Sequence, residues 1–212
     1  VVSAVPGHPA LPVVFLGLFV VFALLRAAHT RPVPRPEAAG EGSRVGQTAD
    51  RLRLLGSAAL AVLVTLYGFW HVFGLFPWLG NFHLPLPDPA RWVAAVAAAA
   101  SLAALHHVRR DLGDAFRVTL TLGADHELVT HGWYQRVRHP MYAALTAYFL
   151  TATLVSANGL LFGLGVLLSG LLRLRTGQEE QMLAAHFGEA YRRYQDRTGR
   201  YLPRFIPRTR TR

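Results

Sequence analysis

The sequence predicts an all-α integral membrane protein of about five transmembrane helices, with a C-terminal helical hairpin, a short cytoplasmic β-hairpin-like segment and a C-terminal amphipathic helix. Three observations carry this. Hydrophobic residues make up 52% of the 212 and charged residues only 16%, a balance too apolar for an ordinary soluble domain. The apolar residues are gathered in four long tracts with the charges between them, as insertion into lipid requires. The last tract, residues 140–172, is too long for one crossing: its 33 residues would run about 50 Å as a helix, against a hydrocarbon core of about 30 Å.

The first tract, residues 11–25, opens after Pro12 and is closed by Arg26. No basic residue precedes it, so it reads as a membrane helix and not as a cleavable signal. Residues 31–50 turn to proline, glycine and charge and read as a flexible cytoplasmic loop within residues 26–53. The second tract, residues 54–76, spans a bilayer comfortably at about 34 Å. The third, residues 92–108, is alanine-rich and bracketed by Arg91 and by Arg109 with Arg110, with Trp78 and Trp92 where an interfacial aromatic belt would sit. These three helices make an N-terminal region, residues 1–112; residues 113–212 form the second.

The fourth tract should fold back at Ser156-Ala157-Asn158-Gly159, a turn-forming cluster, giving a membrane hairpin over residues 140–175. Ala143, Ala147 and Thr151 on one arm, and Gly159, Gly163, Gly165 and Ser169 on the other, would let the backbones approach closely. Residues 116–122 alternate apolar and polar side chains ahead of Gly123-Ala124-Asp125, which predicts a short extended hairpin over residues 116–130. Leu183, Phe187, Ala190, Tyr191 and Tyr194 recur at helical spacing, the mark of an amphipathic helix.

Charge sets the orientation. All 22 basic residues are arginines, and 21 of them fall on one side of a five-helix arrangement, Arg91 being the exception. The N-terminus is therefore expected outside, and the C-terminus in the cytoplasm of the cell. The formal charge of +10 belongs to this asymmetry and not to nucleic acid binding. With no cysteine, disulfides, thiolate zinc sites and cysteine nucleophiles are excluded. No metal-ligand spacing occurs; His106 and His107 are adjacent and point to different helix faces, and with His71 and His186 they read as interfacial.

Two polar clusters flank the hairpin. Arg138-His139-Pro140-Met141-Tyr142 leads into its first arm, where Pro140 opens the helix and leaves free amides that can seat a carboxylate or phosphate. The bland reading makes Arg138 and His139 interfacial anchors. Arg175-Thr176-Gly177-Gln178-Glu179-Glu180 follows the second arm; two carboxylates beside an arginine can hold a ligand ammonium group. The bland reading here is a capping box, Thr176 with Glu179, starting a new helix. A hairpin brings both clusters to one face of the membrane, where a ligand with a carboxylate, an ammonium and a further cationic centre attracted to Tyr134 or Tyr142 would fit.

The run Leu-Val-Thr-His-Gly-Trp-Tyr-Gln-Arg-Val-Arg-His-Pro-Met-Tyr at residues 128–142, the later Arg-Thr-Gly-Gln-Glu-Glu at residues 175–180 and the ending Arg-Tyr-Leu-Pro resemble the isoprenylcysteine carboxyl methyltransferase and phospholipid methyltransferase superfamily. The likeness covers residues 113–207 and implies an integral membrane methyltransferase that uses S-adenosylmethionine. It further implies that His126, Glu127, Leu128, Val129 and Tyr134 line the adenosine end of that cofactor. His139, Pro140, Met141 and Tyr142 would line the methionine end, Glu179 would meet the ammonium, and Arg175 would lie toward the substrate as the catalytic residue. A lipophilic methyl acceptor is expected, an isoprenylcysteine carboxylate or a lipid headgroup, with a small thiol as the alternative. Two rivals stand beside this. Sterol reductases have a related C-terminal region that binds a nicotinamide cofactor, but carry Arg-His-x-Asn-Tyr where this chain has Met141 before Tyr142. A non-catalytic membrane scaffold would be indifferent to Glu179.

Overall fold

The computed structural model describes residues 8–29, 44–112 and 128–204. These are helical, with no strand among the described residues: α1 Ala10–His29, α2 Arg44–Phe73, α3 Asp88–Leu112, α4 Pro140–Val155, α5 Gly159–Phe187 and α6 Glu189–Arg197. Four helices contain stretches long and apolar enough to cross a bilayer, namely Ala10–Ala28, Leu54–Phe73, Asp88–Asp111 and Gly159–Phe187; Pro140–Val155 is apolar but shorter. The chain is an all-α integral membrane protein.

Several boundaries differ from those expected of the sequence. Helix α1 runs on to His29 and α2 begins at Arg44, so both ends of the expected loop over residues 26–53 are helical. Most of the expected extended hairpin, residues 116–127, lies outside the described residues; 128–130 carry no regular structure. The amphipathic helix is not one element. Its first residues belong to α5 and its last to α6, divided at Gly188, whose φ of 52° and cap bond to Ala184 O end α5.

The hairpin turns where predicted. Asn158 caps α5, its side-chain oxygen accepting from Leu160 N at 3.0 Å and Leu161 N at 3.3 Å, while its amide donates to Leu79 O at 2.9 Å. Tyr67 OH donates to Ser156 O, and Leu84 N to Ala157 O, so the turn is bound on both sides by neighbouring segments. Arg91, the arginine that broke the charge asymmetry, is 2% exposed. It donates from Nε to Val155 O at 3.0 Å and pairs with Asp88 at 3.3 Å, capping the carbonyl end of α4 rather than facing a membrane surface.

Close packing of the arms rests on fewer small residues than expected. A Cβ at Gly165 would lie 2.9 Å from Phe149 O and 2.9 Å from Thr153 Oγ1, which fixes α5 against α4 there. Gly163 has nothing within 4 Å, and Ala147 is exposed, so neither belongs to the contact. Helix α4 also packs along α3, and α2 along α5, while α1 lies against α2, α3 and α4. Phe15 meets Tyr67 edge to face with ring centroids 4.9 Å apart, Phe22 stacks on Tyr148 at 4.8 Å, and Tyr148 OH donates to Leu18 O.

Candidate active site

At the other end of the hairpin the two polar clusters converge. Their meeting depends on α5 continuing unbroken past the apolar stretch. Thr176 caps nothing: its hydroxyl donates to Leu172 O at 2.9 Å inside the helix, and this overturns the capping-box alternative. Because α5 stays regular, residues 175 and 179 stand one turn apart on one face, and Glu180 is rotated about 100° from Glu179.

That rotation gives the two carboxylates different neighbours. Glu179, 8% exposed, accepts on Oε1 from Tyr142 OH and from Arg175 Nε at 3.1 Å. Among the described residues no hydrogen bond reaches Oε2, and His139 Nδ1, at 3.9 Å, is beyond hydrogen-bond reach. Glu180, 7% exposed, is fully engaged: Arg138 Nε reaches Oε1 at 2.9 Å, and Arg200 donates to Oε2 from Nε at 3.0 Å and again from Nη2. The bond to Glu180 raises the Arg200 pKa above its ordinary value.

Arg138 is not an interfacial anchor. Its guanidinium is nearly buried, donating to Gln195 O at 3.0 Å and to Thr198 O as well as to Glu180. Around it, Arg138 N donates to Gly199 O, His139 N to Arg200 O, and Gly199 N to Arg136 O, so residues 136–139 pair with the chain that leaves α6. His139 is also buried, its ring stacked 5.8 Å from that of Tyr142, and its Nε2, although 3.3 Å from Glu180 Oε1, forms no hydrogen bond.

Tyr134 sits in the turn Gly132–Gln135, its backbone carbonyl taken by Tyr194 OH at 2.7 Å. Burial raises its phenol pKa, and the nearby Tyr194, Glu179 and Asp111 add to the rise, which places it in electrostatic reach of the Glu179 carboxylate. The turn is tied to the end of α3 by Asp111, whose Oδ2 accepts from Trp133 N at 3.0 Å, while its carbonyl lies 3.0 Å from His131 Nε2. Gly132 has φ 58°, and a Cβ there would come within 2.2 Å of Asp111 Oδ2, so only glycine fits.

The structure thus brings together Tyr134, His139, Tyr142, Arg175 and Glu179. Pro140 is buried at the start of α4, and Met141 packs toward the apolar core. Leu128 and Val129 are half-buried just ahead of the Tyr134 turn, whereas His126 and Glu127 lie outside the described residues. Arg200, Tyr201 and Asp111 were given no role by the sequence reading, although Arg-Tyr-Leu-Pro was noted as a motif. No group of three or more histidines and carboxylates suited to a metal ion occurs among the described residues.

The donor set fits a zwitterionic amino-acid end such as that of S-adenosylmethionine. Among the described residues Glu179 Oε2 accepts no hydrogen bond, and it lies 3.9 Å from His139 Nδ1, whose ring stacks on that of Tyr142. The residues that would hold the cofactor are Glu179 at its ammonium, with His139, Tyr142 and Tyr134 about it.

Residues 89–190 match the family model described as phospholipid methyltransferase. Two curated proteins named protein-S-isoprenylcysteine O-methyltransferase are similar. That of Dictyostelium discoideum is 26% identical over 144 residues, covering 64% of this chain and 56% of that protein; that of Tribolium castaneum is 35% identical over 81 residues, 38% of this chain and 29% of that protein. The chain therefore spans only part of these relatives. Among solved structures, the eukaryotic intramembrane Ras methyltransferase ICMT, an isoprenylcysteine carboxyl methyltransferase, shares the fold at TM-score 0.55 and 20% identity, over 90% of this chain and 66% of that one. The matched region contains both polar clusters, and the three comparisons together support a relationship to the isoprenylcysteine carboxyl methyltransferase and phospholipid methyltransferase superfamily.

Proposed function

We propose that this protein is a membrane methyltransferase that uses S-adenosylmethionine and acts on a lipophilic acceptor, an isoprenylcysteine carboxylate or a lipid headgroup. The observation that carries this reading is the half-satisfied Glu179 carboxylate. It is held on one oxygen by Tyr142 and Arg175, and among the described residues its other oxygen accepts no hydrogen bond, with His139 Nδ1 3.9 Å away. A carboxylate so oriented suits a ligand ammonium, and a scaffold would gain nothing from leaving it unmatched.

The cofactor supplies a methyl group on a sulfonium, which a nucleophile displaces without a base when it is well placed. The work left to the chain is orientation. Arg175, hydrogen-bonded through Nε to Glu179, sets where that carboxylate points, and a guanidinium at this place suits an anionic acceptor. Tyr142 and His139 narrow the space around the carboxylate, and the stacked pair offers aromatic faces to a cationic centre. The active site is read as cytoplasmic in the cell membrane, with the N-terminus outside, because the arginines gather at this end of the helices. An acceptor with an apolar tail reaches it from the bilayer, since drawing such a tail into water costs about 0.8 kcal/mol per methylene.

The test is to incubate the purified protein with S-adenosylmethionine and host membrane extract, and to seek a methylated lipid-soluble product by mass spectrometry. A product that appears with the parent protein and is lost in Glu179→Gln supports the reading. Absence of product with the parent, or binding of a nicotinamide dinucleotide in place of S-adenosylmethionine, overturns it.

A further inference from the structure

The paired ends of α1 and α3 carry positive charge that the Glu179 site does not use. Arg26 lies in the last turn of α1, and Arg109 and Arg110 lie in the last turn of α3. Among the described residues none of the three makes an ion pair. The one acidic residue in either last turn, Asp111, gives its Oδ2 to Trp133 N. Arg109 is turned toward α1: its Nη1 donates to Leu25 O at 3.2 Å, while its Nε is buried and has no hydrogen-bond partner. Arg26, the residue after that carbonyl, stands within electrostatic reach of the same guanidinium.

A cation over the carbonyl end of a helix is favourable, and the single bond to Leu25 O would suffice to make Arg109 a cap for α1. Capping calls for neither a second arginine close by nor a buried nitrogen without an acceptor. Both cost stability unless an anion meets them. The surroundings say which anion. Helix α1 leaves Val20, Val21 and Leu24 uncovered, at 57%, 47% and 64% exposed, so the arginines stand at the end of an apolar helix face that acyl chains would cover. An anion held here has hydrocarbon on one side and water on the other, which is the setting of a lipid headgroup and not of a dissolved phosphate.

We propose that Arg26 and Arg109 form a seat for the phosphodiester of an anionic phospholipid at the paired ends of α1 and α3. Charge-assisted bonds from both helices then tie α1 to α3 through one lipid. The Arg109 Nε is closed to solvent, so the phosphate reaches it only as the half-buried guanidinium turns outward; Arg26 is exposed and can follow. The seat uses no residue of the Glu179 site and does not depend on the methyltransferase reading.

The full chain, purified in a neutral detergent and stripped of lipid, is titrated with phosphatidylglycerol and with phosphatidylcholine, and lipid-bound species are measured by native mass spectrometry. The parent should take one phosphatidylglycerol at least about tenfold more tightly than phosphatidylcholine, and millimolar inorganic phosphate should not displace it. Arg26→Gln and Arg109→Gln should each weaken phosphatidylglycerol roughly 10- to 100-fold, as loss of a hydrogen bond to a charged group does, and leave phosphatidylcholine unchanged. Arg26 makes no hydrogen bond among the described residues, so its variant removes the charge without unfastening a helix. Any arginine near an anionic surface contributes roughly fivefold, and Arg193→Gln, exposed on α6, measures that background. If Arg193→Gln weakens phosphatidylglycerol as much as the other two, or the parent binds both lipids equally, only general surface attraction acts and the seat is wrong. Displacement of the lipid by inorganic phosphate would overturn the choice of a lipid as its occupant.

Discussion

Replacing Glu180 by glutamine should unfold the protein at a markedly lower temperature, because this carboxylate is the pin between α5 and two other segments. It is 7% exposed, and it neutralises Arg138, whose side chain is 9% exposed. Glutamine keeps the shape but not the charge, leaving Arg138 buried against the carbonyls of Gln195 and Thr198 alone. Removing one partner of a buried pair costs about 3–5 kcal/mol; the two remaining carbonyls and the 45% exposure of Arg200 put this case at the lower end, about 3 kcal/mol. For a protein of this length each kcal/mol shifts the midpoint by about 2–4 °C, so the expected fall is about 6–12 °C. Glu179→Gln is the internal control. Its carboxylate is half-used, and the amide oxygen still accepts from Tyr142, so a fall of about 3 °C or less is expected. The assay is thermal unfolding in detergent, followed by tryptophan fluorescence at one scan rate for all three proteins. A Glu180→Gln midpoint within about 2 °C of the parent, or an equal fall for Glu179→Gln, would show that the two carboxylates do not divide their roles in this way.

Gly132→Ala should cost about 2–4 kcal/mol, the sum of a left-handed φ and a displaced Asp111 bond to Trp133 N, and in Asp111→Ala the same change should cost less. Additive melting shifts in the double variant would refute the coupling. Gly165→Val should destabilise by about 1–3 kcal/mol because α4 must move away, whereas Gly163→Val, with open space around it, should change the midpoint little. Equal effects would remove Gly165 from the helix contact. Single cysteines are easily read in this cysteine-free chain: one at Phe82, beside the hairpin turn, should react with an impermeant reagent from one side of a sealed vesicle, and one at Leu202 from the other. Labelling of both from one side would contradict the hairpin as a membrane crossing.

The parts legible in the sequence are those on which the bilayer leaves little choice. Tract length fixed where the chain had to turn, and Asn158 supplied both the break and the cap. The convergence of residues 138–142 with 175–180 followed from the turn. The continuation of α5 was hidden, because Thr176 followed by Glu179 is written like a helix start, and only the acceptor at Leu172 O shows that the helix never stopped. Arg91 stood as the one exception to the arginine asymmetry because sequence carries no sign of the Val155 carbonyl it caps. Arg200 was missed for the same reason. Its position comes from backbone pairing across some sixty residues, as Arg138 N to Gly199 O does, and such pairing has no periodicity to read.

The adjacent glutamates show how one helix can carry both the rigidity and the opening of a site. Rotation by about 100° sends Glu180 toward residues 136–139 and 198–201, where two guanidiniums close it, and sends Glu179 toward Tyr142 and Arg175, where one oxygen stays open. Were both carboxylates open, the segment after α6 would keep its backbone bonds but lose the Arg200 clamp, and Arg138 would be a buried cation without a carboxylate. Were both closed, no acceptor would be left for a ligand ammonium. The division therefore depends on α5 remaining helical through residues 175–180, and Thr176 serves it by turning its hydroxyl back to Leu172 instead of starting a new helix. The proposed function of this end of the hairpin rests on that regularity, because a single residue of slip would put Gln178 or Gln181 in the place of one of the two carboxylates.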